Sequence, residues 1–276
     1  MGQERLPEYR VEARNTSESG ENKIHDDETA RRYGFRGGLV PGVTVYAYLT
    51  RPLVEALGPA WLERGTAGVR FVKPVLDGEE VTVTGAVTAR DEKGVTATLT
   101  ATTAEGGECA VLTATLPAGS PTPLNLALYP AAPLPAERPP AGREHLAGLA
   151  ALGTPVALYD EARAAEYTGT VSDTLPLYRG AGGRVHPAFL LDQANRSLDL
   201  NVRLSPWIHT ASVVRHLGGA RVGETLATRG RVRSLFEKKG REFVEVDLAI
   251  VAGERARPVA HVLHTAIYRL PAPDAR

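Results

Sequence analysis

Two stretches of this chain carry the same landmarks about 145 residues apart, and the segment between them suits neither a helix nor a sheet. Val69-Arg70-Phe71 is followed by Gly78-Glu79, by Gly85 and by the turn Asp91-Glu92-Lys93-Gly94. Val214-Arg215-His216 is followed in the same order by Gly223-Glu224, Gly230 and Glu237-Lys238-Lys239-Gly240, with spacing kept to within one residue. Four landmarks in register mark a duplicated unit; two similar hairpin regions arising by chance are the alternative. Eight of the 20 prolines fall between Pro117 and Pro140. Proline removes a backbone donor and fixes φ, so this stretch reads as an extended connector. The chain divides into a unit over 1–117, a connector over 118–144 and a second unit over 145–276.

Strand signals come late in each unit. Residues 67–73, 79–89, 94–103 and 109–116 alternate apolar with polar or Thr and are punctuated by glycine turns, which predicts an antiparallel meander with one buried face. Residues 211–217, 224–235, 241–251 and 258–269 repeat the pattern. Ahead of each meander stands one segment long enough for a helix, Val43–Leu57 and Pro187–Leu200. The first is apolar nearly all round, which suits a helix wrapped by a curved sheet, and Pro52 within it is expected to kink or end it. One long helix followed by a strongly curved antiparallel sheet, twice over, is the outline of an α+β double hot-dog fold.

Composition narrows the function. Lys+Arg and Asp+Glu both number 32, so the chain lacks the basic excess that nucleic acid demands. No apolar run reaches bilayer length, and the charged start MGQERLPEYR is unlike a signal peptide, so the expectation is a soluble cytoplasmic protein with no membrane partner. The single cysteine, Cys109, excludes an internal disulfide and a thiolate metal cage.

The segment Asn15–Gly42 carries the chemistry. It contains Ser19-Gly20-Glu21, Asn22, Ile24-His25, Asp27, Ala30, Gly34-Phe35 and Pro41-Gly42. In these residues it resembles the MaoC-like hot-dog hydratases and dehydratases, including (R)-specific enoyl-CoA hydratases. Their motif runs Ser-Gly-Asp-x-Asn-Pro-x-His-x-Asp, then Ala, Gly-Phe and a His-Gly that opens the central helix. The resemblance implies hydration of a trans-2-enoyl thioester or dehydration of a 3-hydroxyacyl thioester, a hydro-lyase activity of fatty acid metabolism. The thioester would be carried on CoA or acyl-carrier protein, and no metal or redox cofactor is implied. His25 and Glu21 would act as acid and base, and Asn22 would orient the water or the carboxylate. Amides after Gly42, at Val43, would hold the thioester oxygen where a helix start favours negative charge.

Two departures fall on this motif. The acid is Glu21, four residues before His25 where the family has Asp at five, and Lys23 replaces the usual proline. A lysine there would lower the carboxylate pKa or hold a CoA phosphate. Capping alone offers a purely structural reading, since Asp26 and Asp27 precede a two-turn helix that Gly34 closes.

The second unit echoes the motif in part. Asp173 stands where the catalytic Asp would be, Tyr178 takes the His position, and His186-Pro187 aligns with Pro41-Gly42. The expectation is a degenerate second site. The rival is a composite site between the halves, with Asp173 or His186 facing His25. Trp207 and His209 read as packing at the start of a strand, and His261 and His264, three apart on a strand, point to opposite faces. Acyl-thioester hydrolysis is a second reading of the same fold, and a non-catalytic acyl-CoA-binding or scaffolding protein a third. Sheet edges left after internal pairing often drive dimerisation in the family the chain resembles, so the resemblance implies a homodimer.

Overall fold

The computed structural model describes residues 4–18, 20–204 and 206–271; Ser19 of the motif lies outside them. The first unit comprises β1 (Tyr9–Glu12), α1 (Asp27–Arg32), α2 (Gly42–Leu57), α3 (Pro59–Arg64), β2 (Thr66–Phe71), β3 (Glu80–Asp91), β4 (Gly94–Thr103) and β5 (Gly107–Pro117). After the connector come α4 (Arg143–Gly148), β6 (Val156–Tyr159), α5 (Glu161–Thr170) and α6 (Pro187–Asp199). The chain closes with β7 (Ile208–His216), β8 (Glu224–Lys238), β9 (Arg241–Ala252) and β10 (Arg257–Arg269).

The strands form one antiparallel sheet in the order β1-β3-β4-β5-β2-β7-β10-β9-β8-β6. Its second half reverses the first, and the halves meet where β2 pairs with β7 and Gly68 lies opposite Val213. Those two residues are counterparts under the 145-residue offset, so like edges meet about a local two-fold axis.

The shared landmarks now have physical causes. Gly78 and Gly223 turn at φ of 75° and 93°, where glycine carries no steric cost. The glutamate after each folds back onto its own turn: Glu79 Oε2 accepts from Leu76 N at 2.9 Å and Glu224 Oε2 from Arg221 N at 2.7 Å. A Cβ at Gly85 would overlap Leu99, and one at Gly230 would overlap Leu248, so each glycine admits a leucine from the neighbouring strand. A β-bulge follows at the same place in both units, between Val87 and Ala89 and between Val232 and Ser234. Bulges sharpen strand bending, which curls each half-sheet around its helix.

Helix α2 runs through Pro52 rather than ending there. Eleven of its residues are buried, and each of Val43, Val45, Leu49, Leu53 and Val54 among them contributes about 1.5–3 kcal/mol. Against that sum the roughly 3 kcal/mol cost of an internal proline does not decide. The connector is not a free strand of chain. Tyr129 is buried, and its hydroxyl donates to Asp247 Oδ1 at 2.7 Å, beside His261 Nε2 at 2.8 Å. Burial pushes the Asp247 carboxyl up, but His261, Tyr129 and Arg231 donate to it and hold it at about 2. No helix among the described residues is long and apolar enough to cross a membrane.

His216 is the counterpart of Phe71 and ends β7 inside the core, 1% exposed, with its ring edge-on to Trp61 at 4.8 Å. Neither ring nitrogen has a hydrogen-bond partner among the described residues, and burial lowers its pKa to about 4. The unfolded chain therefore binds this proton first as pH falls below 6.5, and native stability drops between there and about 4. His216→Phe is expected to stabilise the protein. Its advantage should grow by about 1.5 kcal/mol from pH 6.5 to pH 5, read by urea unfolding. An advantage independent of pH would mean that His216 is not held neutral.

Candidate active site

The loop before α1 is built from side chains that satisfy its own backbone. Asp26 caps α1 by accepting from Thr29 N at 2.9 Å, as the sequence predicts. Asn15 Nδ2 donates to the His25 carbonyl at 2.7 Å, and Gly38 packs so close to that carbonyl that a Cβ would overlap it. The His25 backbone is thus fixed from two sides. Its ring is fixed as well, because Nδ1 lies 2.6 Å from the Leu39 carbonyl. A carbonyl only accepts, so Nδ1 carries the proton and Nε2 keeps its lone pair. Burial lowers the His25 pKa, with the Leu39 carbonyl opposing, which keeps the imidazole neutral at ordinary pH.

Asn22 Nδ2 faces that lone pair at 3.3 Å. The same amide group clamps the second unit: Nδ2 donates to the Trp207 carbonyl at 3.0 Å and Oδ1 accepts from Trp207 N at 3.1 Å. Asn22 therefore positions His25 against Trp207 of the other half.

His25 and Asn22 line a cavity of about 570 Å³, together with the start of α2 at Gly42 and Val43. The first donors used inside that helix are Thr44 N and Val45 N, both to the Pro41 carbonyl. The amides of Gly42 and Val43 are those that a helix start leaves for a ligand, at the positive end of its dipole. Gly42 has no spare room: a Cβ there would stand 3.1 Å from His209 Nδ1 and 3.2 Å from Phe71. Only residues 42–45 of α2 reach the cavity, so the apolar length of this helix does not line it. Residues 46–50 and 52–54 are packed into the core, and the facing wall comes from α5 and α6 of the second unit, including Tyr167, Asp192, Asn195 and Asp199. Burial first, then the Asp192 charge, push the Asp199 carboxyl up to about 7.

Glu21 sits at the rim with its side chain 78% exposed and paired with Arg138 of the connector at 2.8 Å. It makes no hydrogen bond to His25 among the described residues. Arg138 and not Lys23 lowers the Glu21 pKa. The Lys23 ammonium turns away to the Gly20 carbonyl at 3.0 Å and does not line the cavity, so its expected place against substrate is corrected. The reason is the Gly20 carbonyl of the same loop, which accepts from the ammonium.

The structure brings Asp173, Tyr178 and His186 together, but away from His25. Ala188 N donates to His186 Nδ1 at 3.1 Å, so Nε2 carries the proton and meets Asp173 Oδ2 at 3.2 Å. Arg51 of α2 places Nε 3.3 Å from Asp173 Oδ1, and the Tyr178 ring lies 4.5 Å from His186. Asp173, Tyr178 and His186 are each at most 3% exposed, and none lines the cavity. This second constellation is filled by its own side chains. A cavity lined by both halves does exist, but through α6, Trp207 and His209 rather than Asp173 or His186.

In the sequence Trp207 and His209 read as packing, and no motif points to Arg138, Asp192, Asn195 or Asp199. Arg138 Nη1 also donates to the Asp199 carbonyl at 2.8 Å, so the connector joins the first unit's loop to the end of α6.

No family model and no curated protein matches the chain. Solved structures do. A MaoC-domain protein of Chloroflexus aurantiacus J-10-fl assigned as a dehydratase is 14% identical, with 98% of this chain and 95% of that one covered at a TM-score of 0.62. A conserved hypothetical protein of Mycobacterium tuberculosis with a double hot-dog fold is 14% identical over 97% and 96% at 0.60. A protein of Lactobacillus plantarum assigned as an oleoyl thioesterase is 11% identical over 98% of each chain at 0.56. The fold is a double hot-dog, α+β, with MaoC-like dehydratases among its structural neighbours. Thioesterases share that fold, so architecture alone does not choose between water added to a double bond and water added to a carbonyl.

Proposed function

We propose that the protein is a hydro-lyase acting on a CoA- or carrier-bound acyl thioester, hydrating a trans-2-enoyl group or dehydrating the 3-hydroxyacyl product. The observation that carries this reading is the neutral His25, its Nδ1 anchored on Leu39 and its Nε2 beside a cavity that also holds the opening amides of α2. In the hydration direction water takes the place of the 3.3 Å contact from Asn22 Nδ2, and Nε2 accepts its proton as the hydroxyl adds to Cβ. The double-bond electrons move toward the thioester oxygen, which Gly42 and Val43 amides stabilise. His25 then returns the proton to Cα, so water is consumed with no other group gained or lost.

Hydrolysis remains a second reading, favoured by one observation: Glu21 is engaged with Arg138 instead of joining His25. A single imidazole beside water is enough to attack a thioester carbonyl and release the thiol. Incubating a panel of trans-2-enoyl-CoA and saturated acyl-CoA esters separates the two. Hydration removes enoyl absorbance without free thiol, whereas thiol release from both classes would replace the hydratase reading. Glu21→Gln is expected to keep kcat within about threefold of the parent, as befits an exposed ion pair. A collapse as deep as that of a His25 variant would return Glu21 to the catalytic group.

A further inference from the structure

The two central helices, counterparts in the repeat, present different faces to the cleft between the halves. Ala47, Thr50, Arg51 and Val54 of α2 correspond to Asp192, Asn195, Arg196 and Asp199 of α6 under the 145-residue offset. The spacing i, i+3, i+4, i+7 puts each set on one helix face. On α2 that face is closed: Ala47, Thr50 and Val54 are at most 1% exposed. On α6 all four residues line the cavity that holds His25. A hydrocarbon chain in this space would strip water from two carboxyls and an amide and give nothing back.

The hydrogen bonds within the stripe leave acceptors over. Asn195 Nδ2 lies 3.3 Å from Asp192 Oδ1, while Asn195 Oδ1 is buried with no partner among the described residues. Burial raises the Asp192 carboxyl pKa, with Arg196 opposing. Arg196 Nε is likewise buried without a partner among the described residues, but three of the four stripe residues carry acceptor oxygens, so this wall fits a ligand that brings donors.

We infer that the acyl group of the substrate carries hydroxyl or ammonium groups beyond the reacting carbons, bonded by Asp192, Asn195 and Asp199, in place of a plain alkyl chain. The inference rests on the thioester reading above and gives it a substrate class. Hydroxyl and ammonium share the donor chemistry, and the experiment separates them.

The test compares three CoA thioesters of matched length, ending in methyl, hydroxyl and ammonium. Binding of the saturated forms is measured by calorimetry and turnover of the 2-enoyl forms by absorbance. At least one donor-bearing ester is expected to bind and react about tenfold or more better than the methyl ester, as one or two newly satisfied buried acceptors imply. Asp192→Leu and Asn195→Leu should erase or reverse the preference. Asp192→Asn, which keeps the shape, should weaken an ammonium ligand more than a hydroxyl one. A preference of the parent for the methyl ester, or a polar preference that survives both leucine variants, overturns the inference. Donor-selective binding without turnover of any ester would instead retire the hydratase reading and leave the polar pocket standing.

Discussion

His25→Ala is expected to lower turnover of a trans-2-enoyl thioester by about a hundred- to ten-thousand-fold, the range spanned by one positioned acid-base group. KM should change little, because the Gly42 and Val43 amides and the α6 wall remain. The imidazole is a terminal group of the loop and not its support: Asn15 holds the His25 carbonyl, and Asn22 keeps Trp207. The variant should therefore fold, and its loss should lie in kcat. The parent's acid limb is expected below pH 6.5, because burial depresses the His25 pKa and protonation silences Nε2. A variant with unchanged kcat, or a parent whose acid limb lies well above 6.5, would dismiss His25 as the proton carrier.

Asp173→Ala is expected to cost about 3–5 kcal/mol of stability and to leave kcat of the surviving folded protein unchanged. Removing one member of a buried charged set strands its partners without water. Here they are the His186 N–H at 3.2 Å and Arg51 Nε at 3.3 Å, whose guanidinium keeps only Glu55 as an ionic partner among the described residues, and Leu175 N also loses its acceptor at 2.9 Å. Urea unfolding with an unchanged slope, beside turnover at a permissive temperature, reads both effects. Lost turnover with stability intact would make the second constellation a working site.

How far the sequence went differs between fold and site, and the cause is range. Gly85 and Gly230 answer to the strand beside them, Glu79 and Glu224 to the turn three residues back, Asp26 to its own helix. Such features leave a local trace, and two copies of the trace made the repeat readable. The site depends on what packs from afar. Arg138 reaches Glu21 across more than a hundred residues, and no local pattern inside a proline-rich stretch announces it. Asn22 reads as a motif residue, yet its main partner is the Trp207 backbone. The α6 stripe was available in principle: laying Pro187–Leu200 on Val43–Leu57 shows Asp, Asn and Asp where the first helix has Ala, Thr and Val. What hid it is that either helix taken alone looks merely amphipathic or merely buried. Only their crossing turns that contrast into an open wall and a closed one.

Joining both halves through the β2–β7 seam fixes a stoichiometry. Two separate copies of one half would repeat the same cleft twice, both open or both filled, since identical chains cannot differ. Within a single polypeptide one cleft is free to become ballast while the other stays accessible, so saturation should end at one equivalent of ligand per chain.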